Sequence, residues 1–157
     1  MRVAAFDFDS TLVTTSSGCL WPKHGQDWKC LNSHVVPRIR DLHKKGYALV
    51  IFSNQNRIKG KLDGRGATTA RERVDGFLDK VGVDVPMSVF LATQKGDKDL
   101  KHFRKPLRGM WDFFVNEASI MWRSSKGYTD GDPDIMVDMQ HSFYCGDAAG
   151  RASDFSD

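Results

Sequence analysis

Cysteine is scarce in this chain. Its 157 residues hold 3, Cys19, Cys30 and Cys145, an odd number with no close pair. That excludes a disulfide framework and any Cys-x-x-Cys metal or redox motif. Cys19 and Cys30 could be combined with His24 and His34 into a zinc site, but the spacing fits no common ligand set. Free thiols in a reducing compartment are expected instead. Long apolar runs are lacking too: none reaches the roughly 18 to 20 residues of a membrane span, so no membrane partner is expected. There is no internal repeat and no low-complexity tract. The opening residues enter an apolar strand pattern at once, which gives the expectation that no signal or transit peptide is present.

What is there reads as a single globular domain. Hydrophobic residues make up 40% and charged residues 27%, enough for a real core at this length. The net charge of +3 hides an uneven distribution. Residues 1–128 carry 22 Lys/Arg against 13 Asp/Glu, and residues 129–157 carry 1 against 7. The basic residues cluster as Arg57, Lys59, Lys61, Arg65, Arg71 and Arg73, then as Lys98, Lys101, Arg104, Lys105 and Arg108. Such clusters suit a polyanionic partner; on charge alone a solvated basic surface explains them equally well.

Strand and helix patterns alternate. Residues 2–8 read as a first strand and 12–32 as a long loop or small flap. Residues 33–45 read as a helix with Val35, Val36, Ile39 and Leu42 on one face and Gly46 as its stop. Residues 47–52 are a continuous apolar run of the buried parallel-strand kind. A polar loop over 53–67 leads to a helix capped by Thr68 or Thr69, with core residues Val74, Phe77, Leu78 and Val81 and an end at Gly82. Residues 88–92 form a third strand, 93–108 a basic loop, and 109–120 a helix burying Trp111, Phe114 and Val115. Phe113 is also assigned to the core. A fourth strand spans 142–145. This alternation predicts an α/β fold, a doubly wound parallel sheet with helices on both faces. Because the pattern stops soon after the fourth strand, a C-terminal strand is expected to be missing.

The chemistry gathers at the strand ends. Val3 to Asp9 is an apolar run that ends in two aspartates, Asp7 and Asp9. In an extended strand this spacing places the two carboxylates on one face, about 7 Å apart. Open α/β sheets bind ligands just past the carboxyl ends of their strands. Two acids there repel each other and resist desolvation unless a cation or shared proton intervenes. The arrangement asks for Mg²⁺ and a phosphate. Ser53, Asn54 and Gln55 follow the second strand, Lys105 lies after the third, and Asp147 follows the fourth. A nucleophile, an acid/base, phosphate binders and a metal ligand are thus delivered in order.

The order Asp7, Asp9, Thr11, Ser53, Lys105, Asp147 resembles the haloacid-dehalogenase phosphohydrolase superfamily. The resemblance is closer to the phosphatase domain of polynucleotide kinase 3′-phosphatases. Ile51-Phe52-Ser53-Asn54-Gln55, Gly60-Lys61-Leu62, Arg104-Lys105-Pro106 with Gly109-Met110-Trp111-Asp112, and the segment from Phe143 through Gly146-Asp147-Ala148-Ala149-Gly150-Arg151 carry it. Trp21-Pro22 and Asp27-Trp28 sit where that domain has its early flap. The resemblance spans essentially the whole chain.

It implies that Asp7 is the nucleophile, forming an aspartyl-phosphate, and that Asp9 is general acid and then base. Mg²⁺ would be held by Asp7, Asp9 through its main-chain carbonyl, and Asp147. Thr11, Ser53, Asn54, Lys105 and Arg151 would serve phosphate or substrate, with Thr11 ordering the turn. Asp154 is a candidate acid near the metal. Trp21 and Trp28 are candidates for stacking on a base. The implied activity is a Mg²⁺-dependent 3′-phosphatase on DNA strand-break ends, leaving a 3′-hydroxyl for repair. The implied form is a monomer in the nucleus, with cytoplasm or mitochondrion as further locations and DNA-repair proteins as partners. A small-molecule phosphatase of the same superfamily, acting on histidinol phosphate or a sugar phosphate, and a catalytically silent DNA-binding module are the alternatives. No Gly-x-x-x-x-Gly-Lys-Ser/Thr loop is present, so no kinase domain is expected in this chain. Ser10 stands where the motif most often has Gly, and strain is expected there if the position needs positive φ.

Overall fold

The computed structural model describes residues 1–58, 63–93, 101–118, 127 and 136–148, with only the backbone given at 101, 117 and 118. Lys59, Gly60, Lys61, Leu62, Lys98, Arg151 and Asp154, named above, lie outside the described residues, as does the end of the helix expected over 109–120. In chain order the elements are strand β1 (Val3–Phe6), two-residue strands β2 (Val13–Thr14) and β3 (Lys29–Cys30), helix α1 (Val35–Lys44), strand β4 (Ala48–Gln55), helix α2 (Arg65–Val81), strand β5 (Met87–Thr93), helix α3 (Gly109–Phe113) and strand β6 (Phe143–Cys145).

Strands β1, β4, β5 and β6 pair in parallel in the order β5-β4-β1-β6. The apolar runs are continuous because parallel strands are covered on both faces. Side chains alternate between those faces. Ala4, Phe6, Leu49 and Ile51 face a core completed by Ile39 and Leu42 of α1 and Val74, Phe77 and Val81 of α2. Val3, Ala5, Ala48, Val50 and Phe52 face Met110 of α3 and Phe114 just beyond it. Helices therefore cover both faces, as the alternation predicts. The chain leaves β1 for β4 on one side and returns to β6 on the other. Strand order reverses at β1, and the tip of β1 is the switch point where such sheets bind ligands.

Several boundaries differ from the sequence expectation. β4 does not stop at Phe52; it pairs with β5 as far as Gln55 opposite Thr93. Ser53, Asn54 and Gln55 are thus set by a sheet ladder instead of a loop. α2 starts one turn earlier than expected, with Gly64 as its N-cap and the Thr68 amide donating to the Gly64 carbonyl. Neither threonine caps it. Gly82 ends it at φ 117°, a conformation open to glycine. α3 runs only to Phe113, and a wider π turn continues over Phe114–Ala118. Phe114 is buried, whereas Phe113 is 47% exposed and is not core.

The 12–32 segment is a built flap. Its base is the antiparallel β2–β3 pair, and its interior is organised by Asp27. That buried carboxylate accepts from the Ser17 and Lys23 amides at 2.8 and 2.9 Å and from the Ser16 and Ser17 hydroxyls at 3.1 and 2.7 Å. Trp28 packs edge-on against Phe77 with ring centroids 6.4 Å apart, a core role instead of a stacking platform. Trp21 is 54% exposed.

Candidate active site

Asp7 is the first residue past β1. Its amide donates to the Cys145 carbonyl at 2.8 Å, so the β6 ladder fixes its backbone. Its Oδ1 accepts from the Phe8 amide at 2.6 Å. Its Oδ2 lies 2.8 Å from the Lys105 ammonium. The strand has ended before Asp7, and the chain turns tightly there: the Leu12 and Val13 amides both donate to the Phe8 carbonyl. Ser10 sits in this turn at φ 57°, the left-handed conformation in which a Cβ costs roughly 1–2 kcal/mol. The strain expected at Ser10 is therefore real.

This turn changes the relation between the two acids. Asp7 and Asp9 do not sit side by side on one strand face. Asp7 meets Lys105, while Asp9 turns to the opposite side of the site. There Asp9 Oδ1 is bonded to Arg73 Nη2 and Oδ2 accepts from Gln55 Nε2 at 2.8 Å. The Gln55 amide also lies 3.0 Å from the Ser53 hydroxyl, and Ser53 is buried. Each carboxylate thus has a cation of its own, which is how the fold relieves their repulsion.

Burial pushes the Asp7 carboxyl above its ordinary range. The charge and hydrogen bond of Lys105 and the Phe8 amide pull it down, and the Asp147 carboxylate adds to the rise. Lys105 is held from behind. Its amide donates to Asn54 Oδ1 at 3.0 Å, and Asn54 Nδ2 donates to its carbonyl at 3.1 Å. Both ends of the Asn54 amide are spent on the Lys105 backbone instead of facing the pocket. The Lys105 ammonium also donates to the Tyr144 hydroxyl at 3.0 Å. Burial raises the Tyr144 phenol, against the opposing effect of Lys105. Thr11 Oγ1 accepts from the Asp147 amide at 3.0 Å, tying the β1 turn to the end of β6.

The structure therefore brings together Asp7, Asp9, Thr11, Ser53, Asn54, Lys105 and Asp147 around the tip of β1. Arg151 and Asp154 lie outside the described residues. Two residues of the site, Arg73 and Tyr144, have no site role in the sequence pattern, and Gln55 has only a place at the end of the second strand. Arg73 carried a usable signal, since Ala70, Arg73, Val74, Phe77 and Val81 form the buried stripe of α2, and an arginine on an apolar helix face is out of place unless paired.

Two cavities flank the acids. One of about 760 Å³ runs over Asp7, Lys105, Pro106, Trp111 and Tyr144. The other, about 690 Å³, opens on the Asp9 side between the flap and the start of α2, lined by Trp21, Gln55, Arg57, Arg65 and Arg73. The Arg57 guanidinium lies over the Trp21 ring, 5.6 Å from its centroid. Among the described residues no three His, Cys, Asp or Glu side chains converge on one point, and no helix is long and apolar enough to cross a membrane.

Comparison with known proteins gives this geometry a context. A family model described as "Polynucleotide kinase 3 phosphatase" matches residues 2–157. The chain is 36% identical over 153 residues to a bifunctional polynucleotide phosphatase/kinase of Schizosaccharomyces pombe, covering 98% of this chain and 32% of that protein. It is 36% identical over 165 residues to a polynucleotide 3′-phosphatase of Arabidopsis thaliana, covering 99% of this chain and 21% of that protein. The chain thus spans a third or less of the length of these relatives. A crystal structure described as a HAD-like phosphatase from Mesorhizobium loti superposes with a TM-score of 0.60 at 17% identity, covering 94% of this chain and 63% of that one. The fold is HAD-like.

Proposed function

The chain belongs to the polynucleotide kinase 3 phosphatase family, and from that premise we propose that residues 1–157 form a phosphatase unit that removes 3′-phosphate from DNA strand-break ends. The product would be a 3′-hydroxyl ready for repair synthesis and ligation, which makes the nucleus the expected place of action. The observation that carries the reading is the division of labour around β1. Asp7 meets the Lys105 ammonium at 2.8 Å, and Asp9 is held on the opposite side by Arg73 and Gln55.

In this reading Asp7 attacks phosphorus in line and forms an aspartyl-phosphate. Lys105, already within ion-pair distance of the nucleophile, exchanges that contact for the phosphoryl oxygens and offsets their charge. Ser53 binds a further oxygen. Asp9 protonates the departing sugar oxygen, then takes a proton from the water that cleaves the intermediate. Asn54 acts one step back, by fixing the Lys105 backbone.

The donor set suits Mg²⁺. Asp7, the main-chain carbonyl of Asp9 and Asp147 are all oxygen ligands, and Mg²⁺ takes few protein oxygens while keeping water. The Asp147 charge raises the Asp7 carboxyl, a repulsion a divalent cation relieves. When bound, Mg²⁺ supplies charge neutralisation at the phosphoryl group.

The polynucleotide preference is supported by the cavity beside Asp9. A half-exposed tryptophan next to Arg57 and Arg65 offers a stacking face and phosphate contacts, the combination that holds single strands. The decisive experiment is phosphate release from matched oligonucleotides bearing a 3′- or a 5′-phosphate, with Mg²⁺ or EDTA. Release from the 3′ end alone, lost with EDTA and steeply weakened by salt, is expected. Turnover of small phosphorylated metabolites with the oligonucleotide left intact would transfer the assignment to a small-molecule phosphatase.

A further inference from the structure

Arg73 is out of place by the rules of a core. It is 1% exposed and lies on the buried stripe of α2 with Ala70, Val74, Phe77 and Val81. Its guanidinium sits over the Phe8 ring, 5.4 Å from the centroid, and its Nε is buried without a hydrogen-bond partner. The acidic group it meets is Asp9. Desolvating a guanidinium is costly, and among the described residues one ion pair with an orphaned N–H returns little of that cost. The Asp9 side chain is 44% exposed, so it would be hydrated without Arg73. A methionine would fill the same volume with nothing left unpaired. Packing among the described residues does not call for an arginine here.

We propose that Arg73 is a positioning residue for Asp9: it holds the carboxylate in the one orientation that presents Oδ2 to the leaving oxygen. Arginine has only donors, so the oxygen it holds, Oδ1, is fixed as an acceptor. Oδ2 faces Gln55, whose side-chain amide can donate through Nε2 or, turned over, accept through Oε1. Oδ2 accepts from Gln55 Nε2 at 2.8 Å, a neutral contact that can be exchanged for the leaving oxygen, and Arg73 sets where Oδ2 points. This inference rests on the role given to Asp9 in the phosphatase reading.

The test exploits leaving groups. An aryl phosphate such as p-nitrophenyl phosphate departs as a stable anion and needs no general acid, whereas a sugar or simple alkyl hydroxyl does. Wild type, Arg73→Met and Arg73→Lys are compared on p-nitrophenyl phosphate, a 3′-phosphorylated oligonucleotide and β-glycerophosphate, alongside thermal melting. For Arg73→Met the expected result is a melting temperature equal to or above wild type. Its kcat/KM, which reports departure of the leaving group and not the later hydrolysis shared by all three substrates, should fall roughly 100-fold on the alkyl esters, the usual size of general-acid assistance, and less than tenfold on the aryl ester. Arg73→Lys, which keeps the charge but not the fork, should recover part of the alkyl loss. An equal loss of kcat/KM on alkyl and aryl esters, or no loss on either, overturns the proposal. Should Arg73→Met fail to fold, the alkyl-to-aryl ratio of Arg73→Lys decides in the same way. If wild type spares the oligonucleotide but cleaves β-glycerophosphate, the polynucleotide assignment fails, while the alkyl-to-aryl ratio still judges Arg73.

Discussion

Asp27 in the flap and Asp7 at the tip of β1 are both largely withdrawn from water, yet the molecule uses them in opposite ways. Asp27 accepts four hydrogen bonds from Ser16, Ser17 and Lys23. The Lys23 amide, the Ser17 hydroxyl and then the remaining donors hold its carboxyl far below the usual range. Asp7 has one backbone donor and one movable ammonium, and burial wins over both, so its carboxyl is raised. A carboxylate whose lone pairs are filled by fixed amides and hydroxyls is structural. One that is desolvated, under-satisfied and partnered by a flexible cation has attraction left for an incoming phosphorus and its oxygens. The contrast in hydrogen-bond partners, more than residue type, separates the two, since both are aspartates.

The sharpest way to break this contrast is Asp7→Asn. It should abolish 3′-phosphate release, a loss of at least about 10³-fold for the proposed nucleophile, with the melting temperature kept or raised because burial of the Asp7 charge outweighs its pairing with Lys105. Oligonucleotide turnover beside a melt checks both halves. Lys105→Ala should cost roughly 10²–10³-fold in kcat, as for other lost oxyanion donors. Asn54→Ala should cost about tenfold, because it loosens only the Lys105 backbone. Equal losses at these two positions would refute the division between binding and positioning.

The flap carboxylate should respond to pH instead. The Asp27 carboxyl is lower in the folded protein than unfolded, so it adds stability that is fully present above pH about 4 and lost as pH falls through the folded value. Asp27→Asn should melt earlier than wild type at pH 7, with the gap closing toward pH 3, while aryl phosphate turnover at pH 7 and low temperature changes little. Melting curves at the two pH values decide it. The smallest effect belongs to the turn between the acids. Ser10 at φ 57° is strained, so Ser10→Gly should stabilise by about 0.5 kcal/mol, the left-handed penalty less the extra entropy of glycine. Urea denaturation reads it.

Much of this was legible beforehand. The strand pattern at 2–8 and the continuous apolar run at 47–52 declared the two central strands, and both cores follow from their alternation. The helix stops at Gly46 and Gly82 fell where the structure puts them. Less legible was anything set by pairing partners. β4 extends through Ser53, Asn54 and Gln55 because β5 offers a ladder that far, and no local signal announces it. Phe113 was assigned to the core beside Phe114, but α3 is short and the chain widens after it, so the expected helical face turns away. Trp28 resembled a free aromatic until Phe77 was placed against it.

The sequence by itself determined the alternation of strands and helices, and it determined that acids, a hydroxyl and a lysine would arrive at the strand ends, because periodicity and residue order are local properties. Which of those groups would touch was decided only by the tertiary structure. The turn at Ser10 swings Asp9 away from Asp7, α2 brings a buried arginine beneath it, and Asn54 reaches across 51 residues to Lys105. Contacts such as Asp9 with Arg73 and Asn54 with Lys105 arise from how sheet and helix close on one another, and no short window of sequence contains both partners.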